Sequence, residues 1–252
     1  MIKPRRPKLL QAIGVLESCF AEKFAAPRQS GLVSAATAKL RLRPPFIPRE
    51  SLRGLAGFSH VWILSYLHLN ANKSFCATVH PPRLQGKAVG VFATRSPHRP
   101  SPIGLSLARL EKVEGDTLHL SGLDLADGTP IIDVKPYLPD SDAISDAKTG
   151  WLRLAPRRKL SVSFSGEARA RLSRLERGER KGLGRLIRQA LAHDPRNPRD
   201  RSQMAPGKIH EAKFLECAVR FRIRGVRANV LDVFPVPEAV KARRVPVPPE
   251  LW

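Results

Sequence analysis

Every apolar run before residue 140 is the length of a β-strand, and Pro or Gly punctuates the stretches between them. The runs fall at 10–16, 61–67, 88–93, 105–110, 117–120 and 131–134, and few helices of ordinary length fit between them. Many short strands with turn signals lead to the expectation of an antiparallel sheet curled into a barrel or sandwich. A doubly wound dinucleotide fold is disfavoured, because no Gly-x-Gly-x-x-Gly follows a strand and opens a helix.

Past residue 150 the period changes. Residues 160–165 alternate like a half-buried strand. From Gly166 the apolar positions Leu172, Leu175, Leu183, Leu186, Ile187 and Leu191 fall at helical spacing. Gly178, Gly182 and Gly184 are expected to break this run into two helices, since each costs about 1 kcal/mol relative to Ala in a helix interior. A second alternating run, 214–223, is expected to pair with 226–233 across Gly225. The polar stretch 139–150 reads as a linker. The chain therefore divides into a mainly β domain, 1–150, and a small basic α+β domain, 151–252, with a Pro-rich extended tail from 235.

Lys and Arg number 44 against 22 Asp and Glu, a net charge of +22. Such a surface attracts polyanions before any specific contact forms, and nucleic acid is the usual partner. Binding to a membrane needs an amphipathic basic helix with large apolar anchors, or a lipidation site, and the termini offer neither. Cys19, Cys76 and Cys217 are widely spaced with no Cys-x-x-Cys pair, so neither a metal nor a disulfide framework is expected. No spanning apolar run or signal-type stretch is present, and a cytoplasmic protein is expected.

Three loops carry candidate chemistry. The segment 91–106 holds Pro97, Pro100 and Pro102, which fix φ and make a rigid, non-repetitive loop. Arg95 and Arg99 on it are forks held ready for a carboxylate or phosphate, unless they merely decorate a solvated turn. Gly104 allows close backbone approach to a ligand. In the segment 124–137, Asp127-Gly128-Thr129-Pro130 is turn chemistry. Asp133 and Lys135 share one face of a short strand that Pro136 ends, either as an exposed ion pair or as groups converging on a site. Arg28 and Gln29, between Pro27 and Gly31, offer planar hydrogen-bonding groups for an amino-acid end or a base edge. His60, beside Ser59 in an apolar strand, reads as a satisfied core group, whereas His68, at the strand's end, is better placed to meet a ligand.

Five motifs occur in order: Phe24-Ala25-Ala26-Pro27-Arg28-Gln29, Phe58-Ser59-His60-Val61-Trp62-Ile63-Leu64, Pro81-Pro82-Arg83-Leu84, the run 90–100 and the run 124–137. Together they resemble the TrmO (YaeB-like) family of tRNA N6-threonylcarbamoyladenosine methyltransferases. The resemblance is dense over residues 10–140 and looser beyond, through Ser163, Phe164, the Leu-rich helices and 191–196. Residues 194–199 depart from the family pattern, in which a Tyr follows Asp-Pro-Arg. The resemblance implies a small β-barrel binding S-adenosylmethionine without a Rossmann fold, working as a homodimer with the target site near the dimer interface. It also implies a cofactor site among Pro27, Arg28, Gln29, His68, Leu69, Arg95, Leu105, Asp124, Leu125, Ala126 and Asp127. These residue types suit the ligand: an arginine for the methionine carboxylate, Asp124 or Asp127 for ribose hydroxyls, and an apolar slot at Leu69 and Leu105 for adenine. The family's target nitrogen must lose a proton around the time of transfer. Asp133, Lys135 and Tyr137 are the candidates for holding the nucleotide or taking that proton.

Residues 153–201 hold 15 Lys or Arg against 5 Asp or Glu. Arg174, Arg177, Lys181, Arg185 and Arg188 step by three or four, and Arg196 and Arg199 extend the series into a loop. The excess of one sign argues for a phosphate track on tRNA rather than neutral i,i+4 pairing. With no aromatic platform beside it, shape and backbone contacts are expected over base readout. A non-enzymatic RNA-binding or ribosome-associated protein would account equally for the charge. It would leave the rigid 95–104 loop and the 124–137 cluster unexplained.

Overall fold

The computed structural model describes residues 10–47, 49–70, 75–84, 86–155, 159–178, 180–196, 207–237 and 247–251. Six strands form a closed antiparallel barrel. Their order is β1 (Gly14–Ser18), β2 (Thr37–Leu42), β7 (Thr117–Ser121), β6 (Ile103–Glu114), β3 (His60–Tyr66) and β8 (Pro130–Pro136), with β8 returning to β1. The expected barrel is thus present, and it follows from period-2 alternation. Val61, Ile63 and Ser65 of β3 point inward, as do Ala38, Leu40 and Leu42 of β2. Leu16, Leu40, Ile63, Leu118, Leu120 and Ile131 are fully buried. Each such side chain contributes roughly 1.5–3 kcal/mol.

Two of the expected strands shift. The run 10–16 starts its strand only at Gly14, because the chain before it is engaged elsewhere: Ala12 N–H donates to the Leu251 carbonyl. The run 88–93 gives only β5 (Val89–Gly90), paired with β4 (Thr78–Val79), before a 3-10 turn over Val91–Ala93. That turn buries Val91, whose carbonyl accepts from Thr94 N–H, Thr94 Oγ1 and Arg99 Nη1.

The second sheet runs β10 (Ile209–Phe214), β11 (Cys217–Arg224), β12 (Arg227–Pro235), β9 (Ser161–Phe164), with the last pair parallel. The expected strand at 214–223 is divided, since Leu215 takes φ 54° and turns the chain between β10 and β11. The helices α2 (Gly166–Glu176) and α3 (Leu183–Ala192) pack against this sheet. Ser165 caps α2 by accepting from Ala168 N–H. Gly184 breaks nothing; it lies inside α3, where a Cβ would stand 2.7 Å from Leu172 Cδ2, so it allows the helices to approach.

The polar stretch 139–150 contains a single helical turn, α1 (Pro139–Asp142), and Asp142 accepts from Trp62 Nε1 at 2.8 Å. Pro235 ends β12 rather than opening a tail, and the far end of the Pro-rich segment turns back so that Leu251 is buried. The core of the second sheet is not made by that half alone. Cys19, Phe20, Ala25, Val33 and Ala36, all from the β1–β2 connection, join it, with Phe20 edge-on to Phe214 at 6.2 Å. Burial pushes the Cys19 thiol up to about 12, so it packs as a core group and not as a nucleophile. No helix among the described residues is long and apolar enough to cross a membrane.

Candidate functional site

The β1–β2 connection carries Pro27, Arg28 and Gln29 past one end of the barrel, and neighbouring loops hold it there. Ser30 Oγ accepts from Leu107 N–H at 3.1 Å, and Gly31 N–H donates to the Gly122 carbonyl at 2.8 Å. Asp124 is the centre of this knot. Its carboxylate accepts from Ser106 Oγ at 2.5 Å and from the Ser30 backbone. Burial pushes its pKa up, against the downward pull of those hydrogen bonds and of the Arg95 charge. Arg95 in turn donates from Nη1 to Gln29 Oε1 at 3.2 Å. Gln29, Arg95, Ser106 and Asp124, far apart in sequence, are thereby brought together, whereas Leu105 is the exposed neighbour of Ser106 on the outer face of the same strand; Leu125 and Ala126 are buried.

His68 and Leu69 approach from the end of β3. Lys23 Nζ donates to the Leu69 carbonyl at 2.5 Å, and Asn70 Nδ2 to the Pro97 carbonyl at 2.8 Å. These bonds tie the 68–70 turn to both other loops. His68 Nε2 is shut off from solvent with no hydrogen-bond partner, as is Ser65 Oγ. A buried nitrogen without a partner among the described residues is what a polar ligand would satisfy. Gly104 sits opposite Ser65 in register, and a Cβ there would lie 2.4 Å from Ser65 Oγ.

Two arginines have other partners. Arg99 donates to the Val91 and Thr94 carbonyls and lies 5.4 Å from the Phe92 ring centroid, so it stiffens its own loop. Arg28 reaches the other half of the molecule, donating from Nη2 to the Arg196 carbonyl at 2.9 Å. A small pocket there is lined by Lys23, Pro27, Arg28, His193 and Asp194 among others. Asp127 closes the barrel, accepting from Ser18 N–H at 2.9 Å.

Asp133, Lys135 and Tyr137 lie on the outer wall. In register, Leu105 faces Leu64 and Leu64 faces Asp133; one row on, Leu107 faces Trp62 and Trp62 faces Lys135. Asp133 and Lys135 form a 2.8 Å ion pair, both partly exposed. The carboxylate pushes the lysine's pKa up and holds it as a cation. The Tyr137 ring leans on Trp62 at 5.8 Å and His60 at 6.4 Å. His60 Nδ1 shares a hydrogen bond with Ser59 Oγ at 2.9 Å.

The basic series is split by the turn between α2 and α3. Arg174, Arg177, Lys181, Arg185 and Arg188 are exposed. Arg188 also donates to the Val162 carbonyl at 2.7 Å and packs over Phe164 at 5.0 Å. Arg196 is mostly buried in a two-point pair with Asp194, 2.9 Å on each side. Arg199 lies outside the described residues. Ser30, Ser106 and Lys23 went unnoticed in the sequence. Each sits beside, or four residues before, a recognised position, and the inward slot of Ser106 on an alternating strand was the available signal.

Acid should weaken this region. Burial lowers the pKa of His68, helped by the Lys23 charge, and burial lowers that of His210, helped by Arg196 and Lys208. A histidine depressed in the fold contributes stability that is present above its ordinary pKa, about 6.5, and lost as pH falls toward the folded value. The melting temperature should therefore drop between pH 7.5 and 5.5, and His68→Gln should flatten that drop. The raised Asp124 pKa acts with the opposite sign and is common to both proteins, so an identical slope in wild type and variant would refute the role given to His68.

Comparison with known proteins covers both halves of the chain. The family described as tRNA-methyltransferase O N-terminal domain matches residues 15–143, and the TrmO C-terminal domain matches 157–236. A tRNA (adenine(37)-N6)-methyltransferase of Escherichia coli (strain K12) is 41% identical over 230 residues, 89% of this chain and 97% of that protein. The mouse (Mus musculus) protein of the same name is 53% identical over 137 residues, 54% of this chain and 32% of that protein. The crystal structure of TrmO from Pseudomonas aeruginosa is 39% identical with a TM-score of 0.74, covering 89% of this chain and 97% of that one.

Proposed function

Because this chain belongs to the TrmO family in both its halves, we propose that it moves a methyl group from S-adenosylmethionine to N6 of a tRNA adenosine beside the anticodon, one that already carries threonylcarbamoyl. The observation that carries this reading is the loop knot around Asp124, which gathers Gln29, Arg95 and Ser106 at one end of the barrel. When bound, S-adenosylmethionine supplies a methyl group on a sulfonium that is already a good leaving group.

The protein's task is then to align and to handle a proton. Arg95 and Arg28 suit the methionine carboxylate, and Asp124 suits the ribose hydroxyls. His68 Nε2 offers the cofactor a buried partner. As the new N6–carbon bond forms and the carbon–sulfur bond breaks, the N6 proton must leave. Lys135, held as a cation, suits an anionic group of the nucleotide and not proton acceptance. That leaves Asp133 or Tyr137 to take the proton. The exposed Ile103 and Leu105 on the same wall support a homodimer that covers them, located in the cytoplasm with tRNA.

The test is to supply labelled cofactor and bulk tRNA, digest to nucleosides and separate them. Label on threonylcarbamoyladenosine is expected, together with a rise in melting temperature on adding cofactor. Label on another nucleoside would overturn the substrate. Tight RNA binding with no cofactor effect would favour the non-enzymatic RNA-binding reading.

A further inference from the structure

The second sheet has one face against its core and one turned outward. Alternation places Arg222 and Arg224 of β11, with Arg227 and Asn229 of β12, on the outward face. Gly225, at φ 55°, makes a tight two-residue turn, so Arg224 and Arg227 lie directly opposite in register. Like charges directly opposite destabilise a strand pair. The carboxylates of the described part of this sheet are engaged elsewhere: Glu211 is paired with Arg220 at 2.9 Å and Asp232 with Arg171 at 2.7 Å. Among the described residues no carboxylate lies within ion-pair distance of Arg222, Arg224 or Arg227.

Arg222 and Arg224 also have a neighbouring segment packed against them. The chain at Gly207 runs against them, where a Cβ would lie 3.5 Å from Arg224 Nη2 and 3.7 Å from Arg222 Cδ. Arg222 Nε is hidden from solvent without an acceptor. Asn229, opposite Arg222, is fixed by Ser163 Oγ at 3.1 Å. Guanidinium groups that are rigid, uncompensated and side by side match phosphate oxygens, and holding them beforehand reduces the entropy lost on binding.

We propose that the hairpin tip bearing Arg222, Arg224 and Arg227 grips the phosphate backbone of the substrate tRNA, as a surface additional to the arginines of α2 and α3. This rests on the reading that tRNA is the substrate. The test replaces all three with Gln in the full-length protein and measures methyl transfer and tRNA binding from low to physiological salt. The tRNA KM should rise at least roughly tenfold, and the log–log salt slope should shrink by roughly 0.7–0.9 per lost phosphate contact. The kcat at saturating tRNA and the cofactor affinity should hold. Should the triple variant not fold, Arg227→Gln alone at the exposed tip should reduce the slope by about one contact. A slope and KM equal to wild type in the folded variant would overturn the proposal. If wild type binds tRNA but transfers no methyl, the enzymatic reading fails while the slope comparison still decides the hairpin.

Discussion

Transfer RNA lacking the threonylcarbamoyl group is expected to be methylated roughly 10⁴-fold more slowly than tRNA that carries it. The reason is the cost of leaving polar groups unpaired. Lys135 stands on the outer wall of the barrel, held as a cation by Asp133, and the threonyl part brings a carboxylate to it. A site built to bond such a group is left with unmatched donors when it is missing, which discriminates by roughly 10⁴–10⁵. An apolar pocket missing one methylene discriminates by only about 10–200-fold. The measurement is kcat/KM on matched tRNAs prepared with and without the group. A ratio within about tenfold would place the discrimination elsewhere, in the anticodon loop or nowhere. Lys135→Ala should then narrow the ratio, not just lower both rates, because it removes the cation assigned to the nucleotide's anionic group.

Asp194→Asn is expected to cost about 3–5 kcal/mol of stability, the usual penalty for removing one partner from a buried pair. Asp194 and Arg196 are 11% and 15% exposed, so the guanidinium has little water to fall back on. Asn keeps the tolerance for the left-handed φ of 46° at this position, which isolates the lost charge from backbone strain. The carbonyl of Arg196 also anchors Arg28, so cofactor affinity should fall as well. Denaturant midpoints and calorimetric titration read the two effects separately. A stability loss below about 1 kcal/mol would mean that the pair behaves as a solvated one.

Much of the barrel was legible because its strands alternate cleanly. β3, β6, β7 and β8 each cover an apolar run, although β3 and β6 also turn Trp62, Leu64, Ile103 and Leu105 outward. β2 was overlooked because Lys39 and Arg41 dominate its outward face, although Ala38, Leu40 and Leu42 kept the same beat. Of β10 only Phe214 was included in the expected strand 214–223, and no Gly or Pro marks the turn after it, which Leu215 makes instead. The loops proposed for the cofactor rest on motif resemblance, not on periodicity. What secures them is non-local: Ser30 on Leu107, Ser106 on Asp124 and Lys23 on Leu69 are contacts that no window of neighbouring residues contains. The hairpin arginines were equally hidden, since only the register of β11 against β12 sets Arg224 opposite Arg227.

The β1–β2 connection sets how the gene can be divided. A polypeptide ending near residue 150 would leave Phe20, Ala25, Val33 and Ala36 without the helices and sheet that cover them. Exposed together, they would form a contiguous sticky patch, and the shortened product should collect as insoluble material when expressed in cells. Supplying the missing half as a separate polypeptide should restore solubility, because it returns the surface on which those side chains rest.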